Sequence, residues 1–326
     1  MIIVRSPLRI SLGGGGTDLP SFYKLNHGFV VSAAINKYVF TSITRPFEPG
    51  YYLKYSSTEN VKDISRIKHP IIREVLIEEK VGNLPLEITT LADIPSGTGL
   101  GSSGSFTSSL IKALYEYRGK KISKQTLAEK SCEIEINKLK DPVGKQDQYI
   151  AAFGGIKSLD FYENEKVAVK NLKIKKNALI KFEKNLVMFF TGQTRASKKI
   201  LINQKHKTEM NNKNMIENLI KVKKMGYEVK NTLEKGDFDN FGEIMNRHWF
   251  EKKKRSNEMT NFFIESLYDG ALKNGAIGGK LVGAGGGGFL LFYCNNKQKL
   301  KNYFKKKNIE EVEFKFEFNG TQLIMK

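Results

Sequence analysis

Three glycine-rich segments constrain this chain more than any other feature: Leu12–Pro20 (LGGGGTDLP), Pro95–Ser105 (PSGTGLGSSGS) and Lys280–Phe289 (KLVGAGGGGF). Glycine loses more conformational freedom on folding than any other residue. Runs of it therefore persist where the backbone must take positive φ or approach another group closely. The first segment follows an apolar, branched run, and the second lies between a strand-like and a strongly helical stretch. The third joins two apolar strands and, taken alone, reads as a tight hairpin turn. Together they point to loops that share a ligand site.

The pattern around them is mixed. Ile2–Ile10, Phe29–Ile43, Tyr51–Tyr55 and Leu86–Leu91 read as strands, and Ile156–Tyr162 with Lys166–Leu172 as a hairpin. His69–Lys80, Ser105–Tyr117 and Lys124–Leu139 have helical spacing. After the buried run Leu186–Phe190 comes a lysine-rich helical region from about Ser197 to Tyr268, with breaks expected near Gly226 and Gly236. Gly279–Val282, Phe289–Tyr293 and Val312–Phe318 read as strands, and Lys297–Lys306 as a helix. Strands and helices do not alternate regularly, which favours α+β over a wound βαβ fold. A length of 326 residues fits one large domain or two ordinary ones, with a boundary expected near residue 180.

Composition excludes several classes. Two cysteines cannot form a disulfide framework, and four scattered histidines lack metal-ligand spacing. There is no 18-residue apolar run and no signal-peptide pattern. The cytoplasm is the expected compartment, without a membrane partner. Lys plus Arg total 54 against 34 acids, a net charge of +20. The excess is mostly lysine, between residues 173 and 255 and after 297. It lacks the aromatic-interleaved basic ribbon of a nucleic-acid binder, so no nucleic-acid partner is expected. A phosphate-rich substrate suits the same charge.

In the second glycine segment, the following helix offers unpaired N–H groups and a positive dipole end, which suits a phosphate chain. Ser102, Ser103 and Ser105 can cap that helix or reach a metal ion. No Gly-Lys-Ser/Thr closes the loop, so it is not a Walker A sequence. Gly99, Gly101 and Gly104 match G-x-G-x-x-G. The chain then runs from helix to helix through Lys120-Lys121-Ile122 instead of to a strand, which argues against a dinucleotide fold.

These residues resemble those of the GHMP small-molecule kinases, over nearly the whole chain. Pro95, Gly97, Gly99, Leu100, Gly101, Ser102 and Ser103 are similar to the family's ATP phosphate loop, which Gly104 and Ser105 continue. Lys280–Gly288, with Gly285, Gly286 and Gly287, is similar to its C-terminal glycine motif. Arg9, Gly13, Gly14, Gly15, Gly16, Thr17 and Asp18 resemble the N-terminal substrate motif of the sugar kinases. GGGGTDLP together with GKQDQYIAAFGG (Gly144–Gly155) most resembles the D-glycero-D-manno-heptose 7-phosphate kinases, with the L-fucokinase domains next. Galactokinases carry Gly-Glu-His-Thr-Asp at the N-terminal motif. Here Gly15 and Gly16 stand where the Glu-His pair would be, leaving room for a larger or differently charged sugar.

The resemblance implies a two-domain α+β fold, with an N-terminal mixed sheet and helices over 1–180 and a ferredoxin-like domain over 181–326. It implies ATP and Mg²⁺ as cofactors. The implied reaction is transfer to the anomeric C1 hydroxyl of a sugar phosphate, for nucleotide-activated heptose and surface polysaccharide. Asp147 matches the catalytic aspartate and Arg9 the arginine beside it. Glu135 and Ser103 match the metal-binding pair, and Asp18 an acceptor of sugar hydroxyls. The substrate is expected at Gly13–Asp18 and at Gly285–Gly287. For the substrate's own phosphate, N–H groups of Gly13–Gly16 are one candidate nest. Arg195, one of nine arginines and in the loop after Leu186–Phe190, is the expected cation, with Lys198 second. The alternatives are an L-fucokinase or other sugar 1-kinase, and a non-enzymatic nucleic-acid binder on a kinase-like fold. Oligomeric state is not legible.

Overall fold

The computed structural model describes residues 1–193 and 197–326. The first half runs β1 (Ile2–Gly13), α1 (Pro20–Asn26), β2 (Gly28–Thr44), β3 (Tyr51–Lys54), β4 (Thr58–Val61), α2 (Pro70–Glu78), β5 (Leu86–Ala92) and α3 (Ser102–Tyr117). Then come α4 (Lys124–Cys132), α5 (Gln146–Phe153), β6 (Ile156–Phe161) and β7 (Val167–Asn171). The second half runs α6 (Lys176–Asn185), β8 (Leu186–Phe190), α7 (Ser197–Glu209), α8 (Lys213–Lys235), α9 (Phe238–Lys253) and α10 (Phe262–Lys273). It closes with β9 (Ala276–Leu281), β10 (Phe289–Cys294), α11 (Lys297–Lys305) and β11 (Gln322–Met325). No helix among the described residues is long and apolar enough to cross a membrane.

The long β2 organises the larger sheet. β1 runs antiparallel along it, while β6 pairs with its first half and β5 with its second. The order is β11-β1-β2-β5-β3-β4, with β7 outside β6. The smaller sheet is antiparallel in the order β8-β10-β9, and Glu311 adds a single bridge beside β8. That is the ferredoxin-like order with its last strand reduced to one bridge. The last strand of the chain, β11, lies in the larger sheet.

Three main cores hold these layers. One lies between the larger sheet and α2–α4, and includes Ile72, Ile88, Leu110 and Leu127. A second fills the space between the two sheets, where Leu8, Ile10 and Leu12 meet Phe182, Phe241 and Leu291. The third packs Trp249, Tyr268 and Phe304 on the outer face of the smaller sheet. Strand β1 changes faces along its length. Ile2 and Val4 enter the first core, but Leu8, Ile10 and Leu12 enter the second. The β1–β2 register slips between Pro7 and Leu8, where the exchange occurs. Such irregularities re-aim side chains near functional sites. This one turns Arg9 toward α5 and the loop before α3.

Two expectations from sequence fail. Val312–Phe318 alternates but forms no strand: it makes one isolated bridge, at Phe316, with another just before it at Glu311, and the last strand is β11 instead. Alternation reports one-sided burial, and Val312, Phe314 and Phe316 do pack on the second core. The segment passes from one sheet to the other, however, so its backbone pairs first with one and then with the other: Val312 N–H donates to Met188 and Glu317 N–H to Ala34. Helix α8 also runs unbroken through Gly226. A Cβ there would lie 3.0 Å from Phe29 Cδ1 and 3.2 Å from Gly14 Cα. The glycine marks close helix–sheet packing, not a helix end. Gly236 does end α8, at φ 79°.

Candidate active site

Arg9 and Asp147 form the centre. Asp147 lies in the first turn of α5, on the segment ended by Gly154. Arg9 is 5% exposed. Its Nε donates to Asp147 Oδ1 at 2.7 Å and its Nη2 to Oδ2 at 3.0 Å. This planar two-point contact is the strongest ion-pair geometry available to arginine. Nη1 donates to the Gly99 carbonyl at 2.5 Å, and the Arg9 backbone N–H to the Leu100 carbonyl. One arginine thus ties the aspartate to the glycine loop before α3. Gly104 permits the approach, since a Cβ on it would sit 2.9 Å from Asp147 Cβ.

That loop is built to present its backbone. Gly97, Gly99 and Gly101 all have positive φ, and Gly101 caps α3. No side chain caps the helix, so its first N–H groups and positive end face outward. Leu100 is buried beneath the loop, and Thr98 Oγ1 bonds the Pro95 carbonyl. Ser102 Oγ is buried without a partner among the described residues, and Ser105 Oγ donates to the Pro7 carbonyl, away from the loop.

Ser103 donates to Glu135, and Gln148 Nε2 donates to the other Glu135 oxygen at 3.0 Å. Glu135 sits in a π-helical turn, Glu133–Lys138, that continues α4, a form that recurs at functional sites. It is 1% exposed and forms no ion pair among the described residues. Burial raises its pKa to about 7, with the Asp147 charge adding to the rise and the Ser103 and Gln148 hydrogen bonds opposing it. A buried carboxylate without a cation, beside a phosphate-type loop, suits a hard divalent ion. No cluster of three acidic, His or Cys side chains that could hold a metal occurs among the described residues. Further oxygens would have to come from a ligand.

A pocket opens from Asp147 and Arg9 toward Gly15, Gly16 and Asp18, with Gly283 and Ala284 on another side. Asp18 is buried. Its Oδ1 accepts from Gly16 N–H at 3.0 Å and Oδ2 from Gln146 N–H at 3.2 Å. Burial raises its pKa, helped by the Asp147 charge, and these backbone bonds oppose the rise. Another wall is built of basic residues: His248, Lys252 and Arg255 line it, with Lys280 buried close by. Lys252 Nζ donates to the Leu281 and Gly283 carbonyls, and Lys280 Nζ to the Leu12 carbonyl. Burial and neighbouring cations lower the pKa of Lys280 to about 7 and push Lys252 and His248 well below their ordinary values. Burial lowers Arg255 to about 10, against the charges of Asp18 and Glu251.

Not every expected residue reaches this pocket. Gly15, Gly16 and Asp18 line it. Gly13 and Gly14 instead pack against Val229 and Phe29, and Thr17 Oγ1 bonds the Gly14 and Phe29 carbonyls. Gly16 N–H is already engaged by Asp18, so the run does not form a free four-residue nest. Gly285, Gly286 and Gly287 lie against Met259 and Gln193, and Gly283 and Ala284 take their place at the pocket. Lys198 pairs with Asp141 at 2.7 Å. Arg195 lies outside the described residues. Sequence reasoning missed Arg255, Lys252, His248, Lys280, Gln204 and Gln148. The Lys252–Arg255 run reads as a solvated basic stretch, although Arg255 carried the same signal of a retained arginine.

Comparisons with known proteins point to one family. The GHMP kinases N terminal domain matches residues 68–155, and the GHMP kinases C terminal domain matches residues 229–309. The chain is 30% identical over 309 residues to the D-glycero-alpha-D-manno-heptose 7-phosphate kinase of Campylobacter jejuni, covering 91% of each. It is 25% identical to the L-fucokinase/L-fucose-1-P guanylyltransferase of Bacteroides fragilis, covering 90% of this chain and 34% of that protein. The crystal structure of a D-glycero-D-manno-heptose 1-phosphate kinase from Bacteroides thetaiotaomicron superposes with a TM-score of 0.83 at 26% identity, over 100% of this chain and 99% of that one. The two heptose kinases are named for different phosphate positions.

Proposed function

The chain belongs to the GHMP kinase family as an ATP-dependent sugar kinase, and from that premise we propose that it phosphorylates the anomeric C1 hydroxyl of D-glycero-D-manno-heptose 7-phosphate. The observation that carries this reading is the Arg9–Asp147 pair, bonded to the glycine loop in a pocket that basic residues also line. ATP phosphates would rest on the backbone N–H groups of Gly101–Gly104 at the start of α3. The sugar would enter the pocket with its C1 hydroxyl against Asp147, which accepts the proton or orients the hydroxyl. Arg9 fixes the carboxylate in that attitude, and Asp18 accepts sugar hydroxyls. Phosphoryl transfer needs mainly such positioning and charge stabilisation.

Ser103 and Glu135 would hold Mg²⁺, which supplies charge neutralisation on the nucleotide phosphates when bound. We further propose a boundary near residue 180, with β11 returning to the N-terminal sheet, a cytoplasmic location, and a product that feeds nucleotide-activated heptose. The test is a panel of sugars and sugar phosphates with ATP, followed by ADP release and by phosphorus NMR of the new anomeric phosphate. Preference for heptose 7-phosphate supports the reading. Preference for free L-fucose or galactose refutes it.

A further inference from the structure

We propose that the pocket wall built by Arg255 with Lys252, His248, Gln204 and Ser11 holds the phosphate that the sugar already carries. This rests on the reading that the substrate is a sugar phosphate, and it names the residues that select it.

Arg255 is threaded into the pocket wall and 4% exposed. Its Nε donates to Asn218 Oδ1 at 2.9 Å and its Nη1 to the Gly15 carbonyl at 3.0 Å. Nη2 is buried and donates to nothing among the described residues. Gly16 is what admits it: a Cβ there would lie 2.6 Å from Arg255 Nη1 and 3.0 Å from Gln204 Nε2. Gln204 Nε2 donates to the Gly16 carbonyl at 3.1 Å and keeps its second N–H. Lys252, on the same wall, donates from Nζ to the Leu281 and Gly283 carbonyls. Both ring nitrogens of buried His248 and the Ser11 hydroxyl have no partner among the described residues.

The wall is therefore rich in unused donors and poor in acceptors. Lys252, Arg255 and Lys280 are buried and form no ion pair among the described residues. The acids that face them are already engaged. Asp18 accepts two backbone N–H groups, Asp147 is held by Arg9, and Glu251 accepts from Asn218 and Lys254. A buried guanidinium whose Nη2, like the His248 and Ser11 groups beside it, has no partner among the described residues calls for an anion with several acceptor oxygens. A phosphate dianion offers three, and a neutral sugar ring offers no charge at all. The ATP phosphates have their own cradle at the start of α3, on the Asp147 side of the pocket. Arg255 sits on the Gly15–Gly16 turn and Asp147 on Arg9 and the glycine loop, so one sugar can present a hydroxyl to Asp147 and a phosphate to Arg255.

The test compares heptose 7-phosphate with free heptose in the intact enzyme. Arg255→Ala should lower the ratio of kcat/KM for the phosphorylated over the free sugar roughly 10- to 150-fold, the effect of losing one buried charge-assisted contact. KM for ATP should move far less. Guanidinium ion added to Arg255→Ala should restore part of the ratio, which a merely misfolded variant would not allow. Arg255→Lys, which keeps the charge without the fork, should give an intermediate loss and serves if the alanine variant does not fold. Inorganic phosphate should compete with heptose 7-phosphate in the wild type and not in Arg255→Ala. If the wild type requires the phosphorylated sugar but both sugars lose equally in these variants, the functional reading stands and this assignment is overturned. If the wild type prefers free heptose, the functional reading falls, and this proposal with it.

Discussion

Replacing Asp147 by Asn tests the centre of the site, because it keeps the shape and removes the charge. Asn Oδ1 can still accept from Arg9 Nε, but the new amide NH₂ faces Nη2, the partner now at 3.0 Å. A donor meets a donor, and one charge-assisted bond is lost. The Arg9 side chain is only 7% exposed, so solvent does not screen the loss. The cost should be about 1.5–3 kcal/mol of stability. For a chain of this size that is a melting-temperature drop of roughly 2–4 °C. The catalytic effect should be larger: kcat should fall about 10²–10⁴-fold, the usual contribution of a general base, with KM for ATP nearly unchanged. Pairing the variant with Arg9→Met separates the two effects. The double variant has no unpaired buried cation, so its stability loss should be smaller than the sum of the single losses by about 0.5–3 kcal/mol. Its activity should not recover. Steady-state kinetics and thermal unfolding on the four proteins give every term. Wild-type-like kcat in Asp147→Asn, or a loss confined to KM for ATP, would refute the assignment of Asp147.

Three further outcomes are expected. Ser103→Ala and Glu135→Gln should each raise the Mg²⁺ concentration for half-maximal rate, because each removes or weakens an oxygen ligand; an unchanged Mg²⁺ dependence in both would rule out that site. Lys280 has its folded pKa lowered from 10.5 to about 7, so between those pH values the unfolded chain binds the extra proton and stability rises with pH. Lys280→Met should therefore stabilise the ligand-free protein near pH 7 by roughly 4 kcal/mol, a gain that shrinks toward pH 10 in urea melts; a pH-independent difference would contradict this. Gly283→Ala would place a Cβ 2.4 Å from Gly99 Cα, backbone against backbone, so the two glycine loops must separate. ATP affinity should drop without loss of the helical circular-dichroism signal, and unchanged nucleotide titration would count against the contact between the loops.

What the sequence determined was local. Asp147, Ser103 and Glu135 lie in short motifs picked out by their resemblance to a family, in order along the chain, while the glycine loop before α3 and its helix follow from residue type and spacing. Gly236 could be read as a helix end for the same reason. Tertiary structure decided what depends on distant partners. Gly226 marks helix–sheet contact and not a break, because the group it accommodates is Gly14, far away in sequence. Val312–Phe318 alternates like a strand but straddles two sheets, since periodicity fixes which side is buried and says nothing of which backbone is available to pair. The slip after Pro7 turned Arg9 toward Asp147, and only pairing with β2 sets that register. Arg255 looked like the end of a solvated basic run. Its guanidinium is buried because α9 ends against the Gly15–Gly16 turn, and that meeting of residues some 240 positions apart is a property of the fold.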